Sequence, residues 1–245
     1  MNNLFGTYHL ILIALSIVLI ISLYFLSKKL SFRTLCKSLF FVGIISEAVK
    51  IFTYIIINED EYGGILPKTD LPFHLCSIQI IFIAIVTFAN NDKLKRFILS
   101  FMLPSCLFGG IAAILIATSS SLNVPMITIQ YFLYHIAITV FALNLFTRKE
   151  LSINIKDYFN CLKFLGIIMF FAFYINSMLY DGESNINFMY VSSPPVSGLP
   201  YLNEESGWLV YIIRYAILVI VAVTLCYIKP IIIAIKCKFK DKNHK

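Results

Sequence analysis

The chain of 245 residues is 59% hydrophobic and only 13% charged, with a formal net charge of +7. A soluble domain is about a quarter charged, so this composition excludes an ordinary soluble enzyme before any motif is read. The basic excess sits in short loops, and no aromatic–basic interleaving or zinc-ligand spacing points to nucleic acid, a metal or another cofactor.

A helix that crosses a membrane needs about 20 apolar residues. In chain order seven stretches meet this: roughly Tyr8–Leu26, Leu35–Ile57, Leu71–Ala89, Phe97–Ala117, Met126–Phe146, Phe159–Leu179 and Trp208–Ile228. They predict one all-α integral membrane domain over residues 1–245. The expected form is a seven-helix transmembrane bundle followed by a basic tail at 229–245. Nothing basic precedes the first stretch and no small-x-small cleavage site follows it, so it reads as a retained span. No repeat suggests a transporter built from two similar halves. Six cysteines are scattered without the spacing of a disulfide framework.

Lys and Arg mark cytoplasmic loops. They cluster after the first stretch (Lys28, Lys29, Arg33, Lys37), the third (Lys93, Lys95, Arg96), the fifth (Arg148, Lys149, Lys156) and the seventh (Lys229 to Lys245). The alternate loops hold only Lys68, together with Glu59, Asp60, Glu61, Asp70, Asp181, Glu183, Glu204 and Glu205. The expected orientation is amino terminus outside, carboxyl terminus cytoplasmic, in a multi-pass protein of the cell membrane. The long outer loop 180–207 carries "SSPPVSGLP", rich in turn formers. It either folds over the outer mouth of the bundle or is an ordinary extracellular loop.

Ionisable groups within spans are costly and are functional candidates by default. Here they are Glu47, Lys50, His74, Cys76, His135 and Arg214, joined by the amides Gln79, Gln130 and Asn176. Counted along helices from the outer face, His74 lies at about 5 Å, Cys76 at about 8 Å, Arg214 at about 9 Å, Lys50 at about 10 Å, His135 at about 14 Å and Glu47 at about 15 Å. All fall in the outer half, and the inner half holds no comparable set. Such convergence is what a site needs, although a polar network gluing helices would look similar. Glu47 and Lys50, three apart, read as a buried structural pair or as a proton or headgroup relay. Arg214 could snorkel to the interface or bind a phosphate.

"LPFHLCSIQ" at 71–79 opens the third stretch. Pro72 suits the first turn of a helix, with Thr69 or Asp70 as cap. His74 and Cys76 then fall in the first turns, about 200° apart around the axis, so they do not naturally touch. Gln79 shares the Cys76 face, and Asp70 could orient His74. Cys76 needs a base from another span, and His135 is the candidate. A Cys–His pair is a nucleophile constellation, whereas a lone buried cysteine is ordinarily a small apolar residue.

Three stretches in order, "LPFHLCSIQIIF" at 71–82, "IQYFLYHIAI" at 129–138 and "INSMLYDGESNINFMYVSSPPVSGLP" at 175–200, are followed by "GWLVYIIRY". Together they resemble the bacterial YwaF-type integral membrane family, which is similar to the eukaryotic transmembrane protein 164 family. Members of the latter are regarded as acyltransferases that load lyso ether phospholipids through a cysteine acyl intermediate, with remoter kinship to the androgen-induced hydrolases of fatty-acid esters. The resemblance implies Cys76 as nucleophile and His135 as base. It implies His74, Gln79, Asn176, Asn187 and Arg214 as supporting residues.

Two functions compete. One is a lipid acyltransferase or lipid-ester hydrolase acting on phospholipid acyl chains at the outer leaflet, with membrane lipid as substrate. Gln79, Asn176 or the helix-start N–H groups would hold the oxyanion, and Arg214 the phosphate. The alternative is a small-ligand binding or transport protein in which Glu47, Lys50, His135 and Arg214 bind the ligand and Cys76 is filler. The missing inner-half polar path speaks against transport.

Overall fold

The structure, a computed structural model, describes residues 3–57, 63–148, 153–196, 198–199, 201–203, 205 and 207–242. Glu59, Asp60, Glu61, Lys149, Glu204 and Lys245, among the loop charges, lie outside the described residues, as do Ser197 and Pro200 of the proline-rich stretch. The described residues hold helices and no strand: α1 (Thr7–Ser27), α2 (Phe32–Phe52), α3 (Leu75–Phe88), α4 (Asp92–Leu115), α5 (Pro125–Thr147), α6 (Ile155–Leu179), α7 (Trp208–Cys226) and α8 (Ile228–Lys242). A π-helical turn, Thr53–Ile57, extends α2, and single turns lie at Lys68–Asp70, Ser119–Asn123 and Phe188–Tyr190.

Six of these helices are long and apolar enough to cross a membrane; α3 is not. The surface is inverted relative to a soluble protein. The buried residues of α1 are His9, Ser16 and Ser27, while Leu10, Ile11, Leu15, Ile17, Val18 and Phe25 are exposed. Apolar side chains face outward because the surrounding medium is hydrocarbon, and polar ones turn inward to find partners. His9 illustrates this: it accepts from the Phe5 N–H through Nδ1 at 3.0 Å and donates through Nε2 to the Ile114 carbonyl at 3.0 Å, tying α1 to α4.

The third stretch departs from expectation. Its helix has 14 residues, Leu75–Phe88, a rise of about 21 Å against a hydrocarbon core of about 30 Å. Neither Thr69 nor Asp70 caps it, and Pro72 stands before it. The cap position is His74, in extended conformation with ψ 153°, without a side-chain cap. A proline pushes the preceding residue out of the helical region, and Leu71 is extended at ψ 151°. His74 Nε2 then donates to the Thr69 carbonyl at 3.1 Å and closes the turn. Helix α3 ends at Ala89, and Asn91 caps α4 by accepting from the Leu94 N–H at 3.1 Å.

Helices α4 and α5 form the most extensive pairing and make the centre. Helix α5 also packs on α1 and α2; α3 lies between α2 and α4; α6 and α7 pack on the outer side of α4. Gly110 permits the central crossing: a Cβ there would stand 2.2 Å from Thr139 Oγ1 and 3.0 Å from the His135 carbonyl oxygen. At the end remote from α3's start, Asn144 donates to Ser27 Oγ at 2.8 Å, and Arg148 donates to the Ser27 and Leu30 carbonyls at 3.0 and 2.8 Å. Arg96 meets Asp157 through two bonds of 2.8 and 2.9 Å. That half therefore does carry polar groups, spent on helix ends.

Candidate functional site

The column above the short α3 is filled by non-helical chain. Ile186, Phe188, Met189 and Val191 of the long loop are all buried. Backbone at such depth must find partners inside the protein, and here it does. Asn176 accepts from the Phe188 N–H at 2.7 Å and donates to the Phe188 carbonyl at 3.0 Å and its own Ala172 carbonyl at 2.7 Å. Three aromatic residues of α7 hold the next three carbonyls: Tyr215 donates to Met189 at 2.9 Å, Tyr211 to Tyr190, and Trp208 Nε1 to Val191 at 3.1 Å. Their spacing of three and four residues puts them on one face of the helix. Met189 and Tyr190 sit in the left-handed region, at φ 57° and 53°. A non-glycine residue there is strained, and these five donors and acceptors hold it in place. Asn187 donates to Ser193 and accepts from the Ser192 N–H at 3.0 Å. Outside the spans, Lys68 donates to Asp181 at 2.6 Å; that bond, with the Ser184 and Glu183 N–H groups, holds the Asp181 carboxyl well below the usual carboxylate range.

Beneath this plug lie the sequence candidates. The His74 ring meets Phe188 and Tyr190, with centroids 5.0 and 5.6 Å apart. Cys76 is the half-buried cysteine of the start of α3, whereas Cys36, Cys106, Cys161 and Cys226 are fully buried. The N–H groups of Cys76 and Ser77 are two of those that a helix start leaves without intrahelical partners. The Tyr134 hydroxyl donates to the Cys76 carbonyl at 2.8 Å. That bond seats the first turn of α3 against the turn of α5 that carries His135. His135 Nδ1 donates to the Tyr131 carbonyl at 2.7 Å. A carbonyl only accepts, so Nδ1 carries the proton and Nε2 is the basic nitrogen.

Glu47 and Lys50 are paired at 2.7 Å, and Ser77 donates to the other Glu47 oxygen at 2.9 Å. Gln130 donates to Ser46, joining α5 to α2 one residue before Glu47. These bonds join α2, α3 and α5, and the loop, bonded to α6 and α7, meets them through the His74 ring. Two candidates change character. Gln79 gives its N–H to Ser105 at 2.9 Å, and Ser105 gives its own proton to the Phe101 carbonyl at 2.7 Å. The Gln79 oxygen is enclosed without a partner, so this amide keeps an acceptor and one of its two N–H donors beyond the bond to Ser105. Arg214 donates to Asn203 at 2.9 Å and lies 6.0 Å from the Tyr201 ring, tied to the loop. Tyr134, Ser77, Ser46 and the α7 aromatics were not singled out by sequence. Their side chains are ordinary in a membrane helix, and only the spacing of Trp208, Tyr211 and Tyr215 could have flagged them.

Among the described residues no group of three or more His, Cys, Asp and Glu could hold a metal ion. A small cleft lined by Arg96, Ser100, Asp157 and Tyr227 lies at the opposite end of the bundle, away from Cys76.

Six membrane-length apolar helices with outward apolar faces define a multi-pass membrane protein. A family model described as the TMEM164 family matches residues 4–227, nearly the whole chain. The chain belongs to the TMEM164 family. No curated protein and no solved structure matches it.

Proposed function

We propose that the protein is a membrane acyltransferase or lipid-ester hydrolase of the cell membrane, acting on phospholipid acyl chains at the outer leaflet through Cys76. The observation that carries this reading is the Tyr134–Cys76 bond of 2.8 Å. It sets the thiol-bearing turn beside a histidine whose Nδ1 is committed and whose Nε2 is basic. An activated nucleophile needs a base within reach that is itself oriented by a third group; the Tyr131 carbonyl orients His135, and the approach of the Cys76 thiol to Nε2 is part of the proposal.

In the proposed step His135 Nε2 takes the Cys76 proton and the sulfur attacks the ester carbonyl. The thioester forms, the ester C–O bond breaks, and His135 returns the proton to the departing alkoxide. An acceptor hydroxyl, or water, then attacks the thioester and regenerates the thiol. The first N–H groups of α3 are the oxyanion donors in this scheme, since Asn176 has spent both of its own and Gln79 one of two. The fatty chain lies between helices in the lipid phase.

The test is trapping. Labelled phospholipid should leave a hydroxylamine-sensitive acyl group on the wild type and none on Cys76→Ser. His135→Ala should slow its appearance by roughly a hundredfold or more, the scale of a lost general base. Equal labelling of Cys76→Ser would end the nucleophile assignment. The absence of any acyl label on the wild type would leave the polar cluster as a ligand-binding site.

A further inference from the structure

The Glu47–Lys50 pair is not used by the acyl-transfer scheme, yet it is joined directly to the catalytic helix. Its side chains are 18% and 10% exposed, on a helix that crosses the membrane. A buried ion pair is weak evidence for stability, because apolar residues of similar volume do as well or better. Inside a membrane such a pair marks a functional place by default.

The hydrogen-bond inventory gives the ligand its sign. Glu47 receives one bond on each oxygen, from Ser77 at 2.9 Å and from Lys50 at 2.7 Å. An ammonium has three donors and no acceptor, and Glu47 occupies one of them. Lys50 keeps two N–H donors beyond the one given to Glu47, so a ligand that Lys50 binds is an acceptor, and its ammonium favours one with negative charge. Ser77, which grips Glu47, is the residue after Cys76. Just past Lys50 the helix widens into the π-helical turn Thr53–Ile57, a feature frequent at functional sites. Arg214, the other cation considered for an anion, is engaged by Asn203.

We infer that Lys50, held by Glu47, anchors the phosphate of the glycerophospholipid whose ester is presented to Cys76. Glu47 balances the ammonium before the lipid arrives, so no lone charge is buried in the empty site. The lipid then exchanges one oxyanion contact for another. The shared chemistry is a phosphate ester, and its source is the lipid.

This inference rests on the acyl-transfer reading for the nature of the substrate, so its test uses a lipid that cannot react. An ether-linked dialkyl glycerophosphocholine has no ester to cleave. Its binding to purified protein in detergent would be followed by native mass spectrometry, beside a dialkylglycerol without phosphate and glycerophosphocholine without chains. Lys50→Met alone would strand Glu47, so the Glu47→Gln/Lys50→Met double variant, which removes both charges, is the informative protein. It should bind the ether phospholipid at least about tenfold more weakly, the cost of one lost charged contact, and bind the dialkylglycerol as the wild type does. Glu47→Gln, which frees Lys50 of its partner, should bind the phospholipid as well or more tightly. Cys76→Ala should bind like the wild type, so the result stands whether or not Cys76 ever carries an acyl group. Equal loss of both lipids in the double variant, no loss of either, or no wild-type binding of the ether phospholipid would overturn the anchor. Displacement by glycerophosphocholine at matched concentration would overturn the lipid as the source.

Discussion

Asn176 gives every polar atom of its amide to backbone, two of its bonds going to Phe188. As a sequence candidate it resembled an oxyanion donor; in the fold it is the peg of the buried loop. Asn176→Leu leaves the Phe188 N–H and carbonyl without partners in a dry place. Each orphaned group costs about 1–3 kcal/mol, so the variant should lose about 3 kcal/mol in all. A lower Tm in detergent and faster proteolysis within 180–207 are the expected readings. An unchanged Tm would mean that the loop is held by the α7 aromatics alone. At this scale the sequence was legible where chemistry is rare in a membrane. Glu47, Lys50, His74, Cys76 and His135 stand out because charge, imidazole and thiol are costly there. Ser77 and Tyr134 did not stand out, since a serine or tyrosine in a span needs no explanation. Gln79 was legible as a polar residue but not in its polarity of bonding, which is set by Ser105 on another helix.

Six of the seven expected stretches are helices of spanning length, with boundaries shifted by a few residues at the ends. Hydropathy found them because every one must bury its backbone in helix to survive hydrocarbon. It overran the third, because Leu71–His74 is apolar in composition but is held as a turn by Pro72 and by the His74–Thr69 bond. A composition average cannot see a hydrogen bond between residues five apart. The consequence is functional: a full-length helix would occupy the space that Phe188 and Tyr190 fill above His74. The companion element is the α4–α5 crossing, where Gly110 faces the backbone of His135 itself. Gly110→Ala drives a methyl group into Thr139 Oγ1 and the His135 carbonyl. Overpacking of this kind costs about 1–3 kcal/mol. It should also shift the turn bearing His135 away from α3. The expected outcome is a modest fall in Tm with a disproportionate loss of Cys76 modification by a membrane-permeant electrophile. A Tm loss with Cys76 reactivity intact would separate the crossing from the site. Gly109→Ala is the matched control, since its added Cβ would stand 3.6 Å from the nearest atom, on Leu75, an ordinary contact.

Across the whole molecule, the neighbours of each helix were not readable from sequence. Helix α5 buries most of its residues and α1 only three, yet both are simply apolar strings, because lipid and protein interior select the same side chains. Orientation is carried by a different signal, the Lys and Arg of the loops. The polar cluster, the buried loop and the loop pair Lys68–Asp181 all gather at the end where α3 begins. The Arg148 contacts and the Arg96–Asp157 pair lie at the other end. The charge rule assigns the first end to the outside, which would put the proposed acyl chemistry at the outer leaflet. A single cysteine placed at Glu183, in a background whose exposed Cys237 is replaced by serine, should react with an impermeant maleimide in intact cells. The same cysteine placed at Ile153 should react only after the membrane is opened. The reverse pattern would invert the protein and move its substrate to the inner leaflet. It would leave the proposed pairing of Cys76 with His135 untouched, since that depends on how α3 meets α5 and not on which side of the membrane they start.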